Sequence, residues 1–531
     1  MPIPKHQNHT SPTASDSTRN STAKLIREFT AKAYQLNPQG NPLEHPIYGT
    51  TIYIANCKME LRFGVFQAFI FQDIIRKDYI VALTYGDTQT ADLLYSRMHS
   101  SCVTSETLRG CDCDCVQQLE GALEKIVEKQ HGVLFYLMQE GRGVGYVSKA
   151  RDRMLVQATH DTLSTFEAYK TLGLKKDYRR YRNIYDICKL LNIRAPFVLL
   201  TNNPDKVAAM QANGFDIRGT ETLEFPPNPF NFNYLRSKMQ AGHLLEKTVE
   251  NQRIAGIHPP EPVTPIPPRS IPEAQRFIYA AQYYLPIRPV AGDIVLTEEQ
   301  FKTYFERHNI DQLIERKKPL IRSYRMLRNQ RFLIKIHEKN LNKLLHNEPN
   351  HPLCSLFTTP YWFKVHVYYD TVTGEDFVVL TYGKPQAFDI PVVRLQSESI
   401  FNRFPVTDRD NRNKFKASLL EIIRYGTGII LLLYNDGRGA GLGAYAYDKM
   451  LLERNLSSST DESYDQLGVS YDSRDYEAAM HLIKHHLPHN NKVQMIMNSP
   501  TSLVKKKEWA EALNSHAIDV EKWIFLEKRK V

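Results

Sequence analysis

No apolar run in the 531 residues approaches the roughly 20 positions a helix needs to cross a bilayer, so no membrane span is expected. The first 24 residues are rich in Ser, Thr and Asn, carry no apolar segment of the secretory kind, and read as a disordered tail. Cysteine is sparse. The seven present are odd in number, and four fall within fourteen positions, Cys102 to Cys115, which excludes an ordinary disulfide framework and points to metal in a cytoplasmic chain. No basic run interleaves with aromatics and no zinc-finger spacing occurs, so nucleic acid is not an expected partner. Charge of one sign is not scarce: the formal net charge of +10 suits a polyanionic substrate as well as a merely solvated basic surface. With 42% hydrophobic and 24% charged residues, a globular chain of two to four domains is expected.

A proline-dense stretch, GIHPPEPVTPIPPRSIPE, suits an extended spacer. The sequences on its two sides match: VALTYGD (81–87) with VVLTYGK (378–384), GVLFYLMQEGRGVG (132–145) with GIILLLYNDGRGAG (428–441), GLKKDYRRY (173–181) with GVSYDSRDY (468–476). The offset stays between 295 and 297, so the chain is an internal duplication. The boundaries read as a tail at 1–24, a catalytic unit at 25–250, a proline-rich linker at 251–275, and a degenerate repeat at 276–531. That repeat opens with a basic, helix-like insertion spanning about 277–351. Within each unit, buried runs such as VLFYLM (133–138) and PFVLLT (196–201) predict strands of a mixed α/β sheet flanked by helices. Apolar positions at helical spacing from Val116 predict a helix ended by Gly132, and Asn203-Pro204 predicts an N-cap and first turn.

Three constellations carry chemistry. Cys102, ten residues, Cys113, one residue and Cys115 offer three thiolates to zinc and leave a fourth position free, the open arrangement of catalytic sites; a closed four-thiolate site that adds Cys111 is the alternative. Gln139-Glu140-Gly141-Arg142-Gly143 follows a predicted strand, where glycine lets backbone approach a ligand and Arg142 can fork onto phosphate. Thr201 at a strand end and Lys206 in the next helix add a hydroxyl and a cation near helix N–H groups. The third constellation, Asp177 and Arg179, reads as a proton acceptor with a phosphate partner or as a surface ion pair.

Taken together, RMHSSC (97–102), CDCVQQLE (113–120), QEGRGVG (139–145), DYR (177–179) and LTNNPDK (200–206) resemble GTP cyclohydrolase II. The resemblance implies hydrolytic opening of the GTP imidazole ring with release of formate and pyrophosphate, in riboflavin biosynthesis. It implies zinc on Cys102, Cys113 and Cys115, and magnesium with the substrate phosphates. Gln118 would read the base, with Glu140, Gly141 and Arg142 at the nucleotide; Arg97, His99, Ser100, Thr165, Thr201 and Lys206 would line the rest. Asp177 would accept a proton and Arg179 would face the α-phosphate. Four departures stand out: Ser101 replaces a usual Glu, Arg153 a tyrosine, Arg180 an Asp, and a longer stretch at 161–166 makes Thr162 a rival to Thr165. These departures also resemble a branch associated with uracil catabolism, which makes a uracil nucleotide the rival substrate. A nucleotide sensor without turnover and a nucleic-acid-binding zinc protein are the readings from other classes.

In the second unit Ser399 stands at the place of Cys102, no cysteine follows in RDNRNKFKASL (409–419), and Met497 and Ser502 replace Thr201 and Lys206, whereas Gly437, Arg438, Asp472 and Arg474 remain. No equivalent zinc is expected there. The second unit therefore reads as the partner half of an intramolecular pseudo-dimer, with further homodimerisation open.

Overall fold

The computed structural model describes residues 46–245, 257–272, 274–288, 293–305, 309–310, 321–327, 329–337, 340, 343, 347–348, 360–407, 410–433, 436–498 and 503–526. The tail expected at 1–24 and part of the proline-rich linker lie outside them.

The first sheet has eight strands: β1 (Ile47–Tyr48), β2 (Thr51–Leu61), β3 (Gly64–Asp73), β4 (Tyr79–Tyr85), β5 (Leu94–Ser100), β6 (Gly132–Leu137), β7 (Phe197–Leu200) and β8 (Ile217–Glu221), in the order β1-β2-β3-β4-β6-β5-β7-β8. Strands β1 to β4 and the β4–β6 pair are antiparallel, whereas β5 runs parallel to β6 and β7. Every residue of β6 is buried, so its sequence shows no alternation. Helix α1 (Cys115–Glu128) buries Leu119, Ala122, Leu123 and Ile126, the spacing of one helical stripe. Around the sheet lie α2 (Tyr146–Ala158), α3 (Thr165–Thr171), α4 (Arg182–Leu190), α5 (Pro204–Ala212) and α6 (Phe232–Gln240). Helix α5 begins as its sequence predicts, with Asn203 accepting from the Asp205 amide and Pro204 in the first turn.

The second sheet repeats this order with β9 (Arg269–Ile271), β10 (Ala274–Ile287) and then β14 (Tyr361–Asp370), β15 (Asp376–Tyr382), β16 (Val392–Ser397), β17 (Gly428–Leu433), β18 (Lys492–Met497) and β19 (Asp519–Phe525). Its helices include α8 (Asp410–Tyr425), α9 (Gly441–Glu453), α10 (Thr460–Leu467), α11 (Tyr476–His486) and α12 (Leu503–Ser515). Even irregularities repeat. A register shift between Tyr53 and Ala55 recurs between Tyr279 and Ala281, and the bond from Tyr53 Oη to Asn56 recurs from Tyr279 Oη to Gln282.

The expected helical insertion at 277–351 is corrected by the fold. Strand β10 is the counterpart of β2 and belongs to the repeat itself. The insertion interrupts the repeat after this strand, where the first copy turns directly from Leu61 to Gly64. Its described residues include a three-stranded sheet, β11 (Asp293–Thr297), β12 (Ile321–Leu327) and β13 (Arg331–Ile336), and a helix, α7 (Glu298–Phe305). Asn329 and Gln330 both take left-handed φ, which closes the β12–β13 hairpin.

The copies pack reciprocally. Tyr146, Ala150 and Met154 of α2 share a core with Ala281, Tyr283 and Leu285 of β10; Leu442, Ala446 and Met450 of α9 share one with Ala55, Cys57 and Met59 of β2. Polar contacts repeat too: the Tyr284 amide donates to Gln157 Oε1 at 2.8 Å, and the Lys58 amide to Glu453 Oε2 at 2.6 Å. The same contact made twice with the roles exchanged is the signature of an approximate two-fold relation. No helix among the described residues is long and apolar enough to cross a membrane.

Candidate active site

Strand β5 delivers Arg97 and His99 to one face, and the chain then leaves the sheet through Ser100 and Ser101 to Cys102. A wide helical turn at Val103–Thr107 reverses it, and Gly110 pairs with Ile287 of the second copy before Cys113 and Cys115 return beside Cys102. The three sulfurs lie within 4.8 Å of one another, with Cys102 and Cys113 3.7 Å apart. Tetrahedral zinc thiolates stand about 3.8 Å apart, so the donor set fits that ion. Cys111 is not among the converging sulfurs; burial pushes its thiol up to about 11. Hydrogen bonds from Cys102 and Cys115 hold Cys113 well below the ordinary thiol range. Lys149 Nζ lies 3.1 Å from Cys102 Sγ and 2.6 Å from Glu140 Oε1, and Glu140 Oε2 accepts from the Val103 amide. Burial opposes the Lys149 charge, but the sulfurs and Glu140 keep it an ammonium.

A buried polar chain supports this cluster. Arg97 donates to Leu200 O at 2.7 Å, Gln118 Oε1 at 2.6 Å and His99 Nδ1 at 3.2 Å, while Gln118 Nε2 donates to Asp114 Oδ2 at 2.5 Å. Because His99 Nδ1 accepts, its Nε2 proton faces Glu106 Oε1 at 2.7 Å, and burial keeps the ring neutral. Tyr136 Oη donates to Glu106 Oε2 and accepts from Arg403 of the second copy at 3.1 Å. Only tertiary packing brings Arg403 of the second copy to this chain of contacts.

The opposite wall is built from loops. Gly141 and Arg142 take φ of 56° and 58°, and the backbone of Tyr178 packs so closely on Gly143 that a Cβ there would lie 3.0 Å from it. This contact joins two of the predicted motifs: Tyr178 N donates to Arg142 O at 2.9 Å. Arg142 stacks 3.9 Å over Phe166. Arg179 forks onto Asp177; burial would raise that carboxyl, but the Arg179 hydrogen bonds hold it below its usual range. Lys206 donates to Met98 O at 2.8 Å, and burial with Arg179 and Arg97 nearby pushes its ammonium well below the ordinary lysine value.

The predicted site residues converge on one cavity of about 130 Å³. Arg97, His99, Ser100, Cys102, Cys115, Gln118, Glu140, Gly141, Arg142, Thr165, Asp177, Arg179, Thr201 and Lys206 line it, with Cys113 buried beside its sulfur partners. Thr165 opens α3 at the cavity; Thr162 is exposed and belongs to a neighbouring hollow. Sequence reasoning missed Lys149, Asp152, Tyr234, Lys238 and His243, which also line it. Tyr234 and Lys238 come from α6. Lys238 pairs with Asp114 at 2.8 Å, and the Tyr234 ring lies between Lys238 and Arg153, 4.5 and 5.0 Å from its centroid. Their i,i+4 spacing marks a shared helix face, but nothing in the sequence ties that helix to the cysteines. Arg153, at the tyrosine position, is anchored by Asp112 at 2.7 Å.

The family description "GTP cyclohydrolase II" matches residues 52–222 and, a second time, 354–508. The chain belongs to the GTP cyclohydrolase II family. Members of this family are hydrolytic enzymes. A GTP cyclohydrolase-2 of Hahella chejuensis is 38% identical over 194 residues, covering 36% of this chain and 92% of that protein. One from Shewanella frigidimarina is 35% identical over 196 residues, covering 37% and 95%. The riboflavin biosynthesis protein RibBA of Endomicrobium trichonymphae is 35% identical over 195 residues, covering 36% of this chain and 47% of its own length. Each match spans about one copy, so this GTP cyclohydrolase II family chain carries two where those relatives align with one.

Proposed function

We propose that the first copy opens the ring of a nucleotide by hydrolysis, with GTP the leading substrate and formate and pyrophosphate released. The observation that carries this reading is the convergence of Cys102, Cys113 and Cys115 beside a cavity walled by cations. Zinc held by these sulfurs would supply Lewis-acid activation of water at neutral pH. Magnesium would arrive with the substrate phosphates.

The chain's own residues orient and move charge. Gln118 is fixed by Arg97 and Asp114 yet keeps one amide hydrogen and one lone pair for the base. Glu140, whose carboxyl is raised by burial, stands beside Cys102 and takes the proton lost as water adds to the ring carbon. Asp177, held ionised, works as one unit with Arg179 and aims its guanidinium at the α-phosphate; electrostatic stabilisation is the role that suits a guanidinium. An incoming phosphate restores full charge to Lys206.

The second reading is a uracil nucleotide, favoured by Arg153 anchored to Asp112 where a tyrosine is usual. On either reading, residues 25–250 form the catalytic unit in the cytoplasm, and 276–531 stand where a partner subunit would, giving an intramolecular pseudo-dimer.

Incubation with GTP, UTP and their monophosphates, following formate and absorbance, tests the proposal. Formate from GTP and a tightly held zinc are expected, both lost in Cys113→Ser with folding unchanged. Glu477, His481 and His516 also converge, so metal lost specifically in that variant is the measure. Full zinc occupancy in Cys113→Ser, or no turnover of any of these nucleotides by zinc-loaded protein, overturns the proposal.

A further inference from the structure

The second copy encloses its own cavity, about 300 Å³, at the place matching the catalytic one. At its floor lies Arg394, the counterpart of Arg97, with 2% exposure. Its guanidinium donates to Gln396 Oε1 at 3.0 Å, Asn498 Oδ1 at 2.6 Å and Ile496 O at 3.1 Å. All three acceptors are neutral, and no carboxylate among the described residues pairs with it. Burial pushes this guanidinium down to about 9 with nothing opposing. In the first copy Asp114, Cys115 and Glu106 offset the same burial at Arg97. A guanidinium does not give up its proton at working pH, so a buried one without a counter-ion is costly, and an anion entering the cavity relieves that cost.

Lys449 tells the same story from another wall. Its counterpart Arg153 is anchored by Asp112, whereas Lys449 has no carboxylate within salt-bridge distance among the described residues. Of the other charged groups facing the cavity, Arg474 pairs with Asp472, Arg438 with Asp461 at 2.7 Å and Glu398 with Arg403 at 2.6 Å, while the buried Asp448 has no ion pair among the described residues. Asp448 lines the cavity and accepts from Thr460. Tyr445 and Tyr464 supply aromatic wall. Ser399 stands where a thiol would be, so the second cavity can bind but has no means to repeat the hydrolysis.

We propose that this cavity is a second, non-catalytic binding site for a phosphate-bearing nucleoside, whose anionic group is met by Arg394 and Lys449 and whose apolar part lies against Tyr445 and Tyr464. The site is independent of turnover in the first copy. The cavity is wider than a bare ion fills and has aromatic wall, which is why the nucleoside is favoured over free phosphate.

The test is equilibrium binding of a non-hydrolysable GTP analogue, of UTP and of inorganic phosphate to the full zinc-loaded chain, compared with Arg394→Met and Lys449→Met. Wild type is expected to bind two nucleotides per chain. Each variant should weaken the second at least tenfold, while formate production continues. Arg394→Met also strands the acceptors on Gln396, Asn498 and Ile496 and is expected to lower Tm, so Lys449→Met is the variant in which loss of the second nucleotide is read at unchanged Tm. One equivalent in wild type, or two equivalents untouched by both variants, overturns the proposal; so does inorganic phosphate filling the second site as tightly as nucleotide. Loss of the second equivalent in a protein that makes no formate would sink the catalytic reading and leave this one standing.

Discussion

The two copies share a scaffold and differ in their chemistry. Both turn through left-handed residues, Gly141-Arg142 and Gly437-Arg438; both hold an Asp–Arg fork, Asp177–Arg179 and Asp472–Arg474; and both tie these together, through Tyr178 N to Arg142 O and Ser473 N to Arg438 O. What changed is the segment after the central strand. In the first copy, residues 102–115 loop out and bring back two sulfurs; in the second, a short turn at Ile400–Arg403 leads onward without them. The lesson is that the fork and the glycine turn are maintained by backbone packing and survive the loss of chemistry. The thiols and Lys149, replaced by Ser399 and Tyr445, do not.

That separation is incomplete, because the freed turn supplies Arg403 to the first copy. Arg403 pairs with Glu398 and reaches Tyr136, which continues through Glu106 and His99 to Arg97. If the second copy supports the first through this chain, Arg403→Met should be the most damaging single change outside the catalytic cavity. It leaves Glu398 buried and unpaired, at a cost of about 3–5 kcal/mol in a denaturant titration. Adding Glu398→Gln should return most of the stability. Catalysis supplies the discriminating readout: a restored double variant should still show reduced kcat with KM little changed, since Tyr136 has lost its donor. Full recovery of kcat along with stability would reduce Arg403 to a packing residue.

A smaller effect probes the other side of the comparison. Lys149 sits where the second copy has Tyr445, and its ammonium neutralises part of the charge of three sulfurs. Lys149→Met should lower zinc affinity about 10- to 100-fold, as losses in the shell around metal ligands do, measured by competition with a chelator. Unchanged affinity would mean that the cysteines alone set the site.

How far the sequence revealed this follows from the same contrast. Cys102, Cys113 and Cys115 were legible because thiolate spacing is a local signal, and so was the Asn203 cap. The repeat was legible only where its offset is constant. Strand β10 escaped because a bulge at Ala280 breaks its alternation and its apolar residues serve two cores, one in its own copy and one shared with α2 of the other. The basic run at 315–345 looked helical from composition, but within it Tyr324, Arg325 and Met326 pair with Ile334, Leu333 and Phe332 across a hairpin. Tyr234, Lys238 and Arg403 were illegible in principle: only tertiary packing brings them to the cavity.

The smallest effect expected distinguishes two matching carboxylates. Glu140 is buried beside Lys149, whereas its counterpart Asp436 is buried with no ion pair among the described residues, and burial pushes its carboxyl up to about 7. Below about pH 4 this group is protonated whether the chain is folded or not. Between there and pH 7 the unfolded chain gives up the proton and the folded one keeps it, so stability falls as pH rises, and above 7 the loss is complete. Asp436→Asn keeps an acceptor for the Ile400 amide, which now lies 3.0 Å from Oδ1, and removes the ionisation. It should raise stability at pH 8 and change nothing at pH 4. Glu140→Gln should do the reverse at pH 8, since it strands Lys149. Equal responses from the two positions would mean that Lys149 has no part in setting the first copy apart and that burial alone governs both carboxylates.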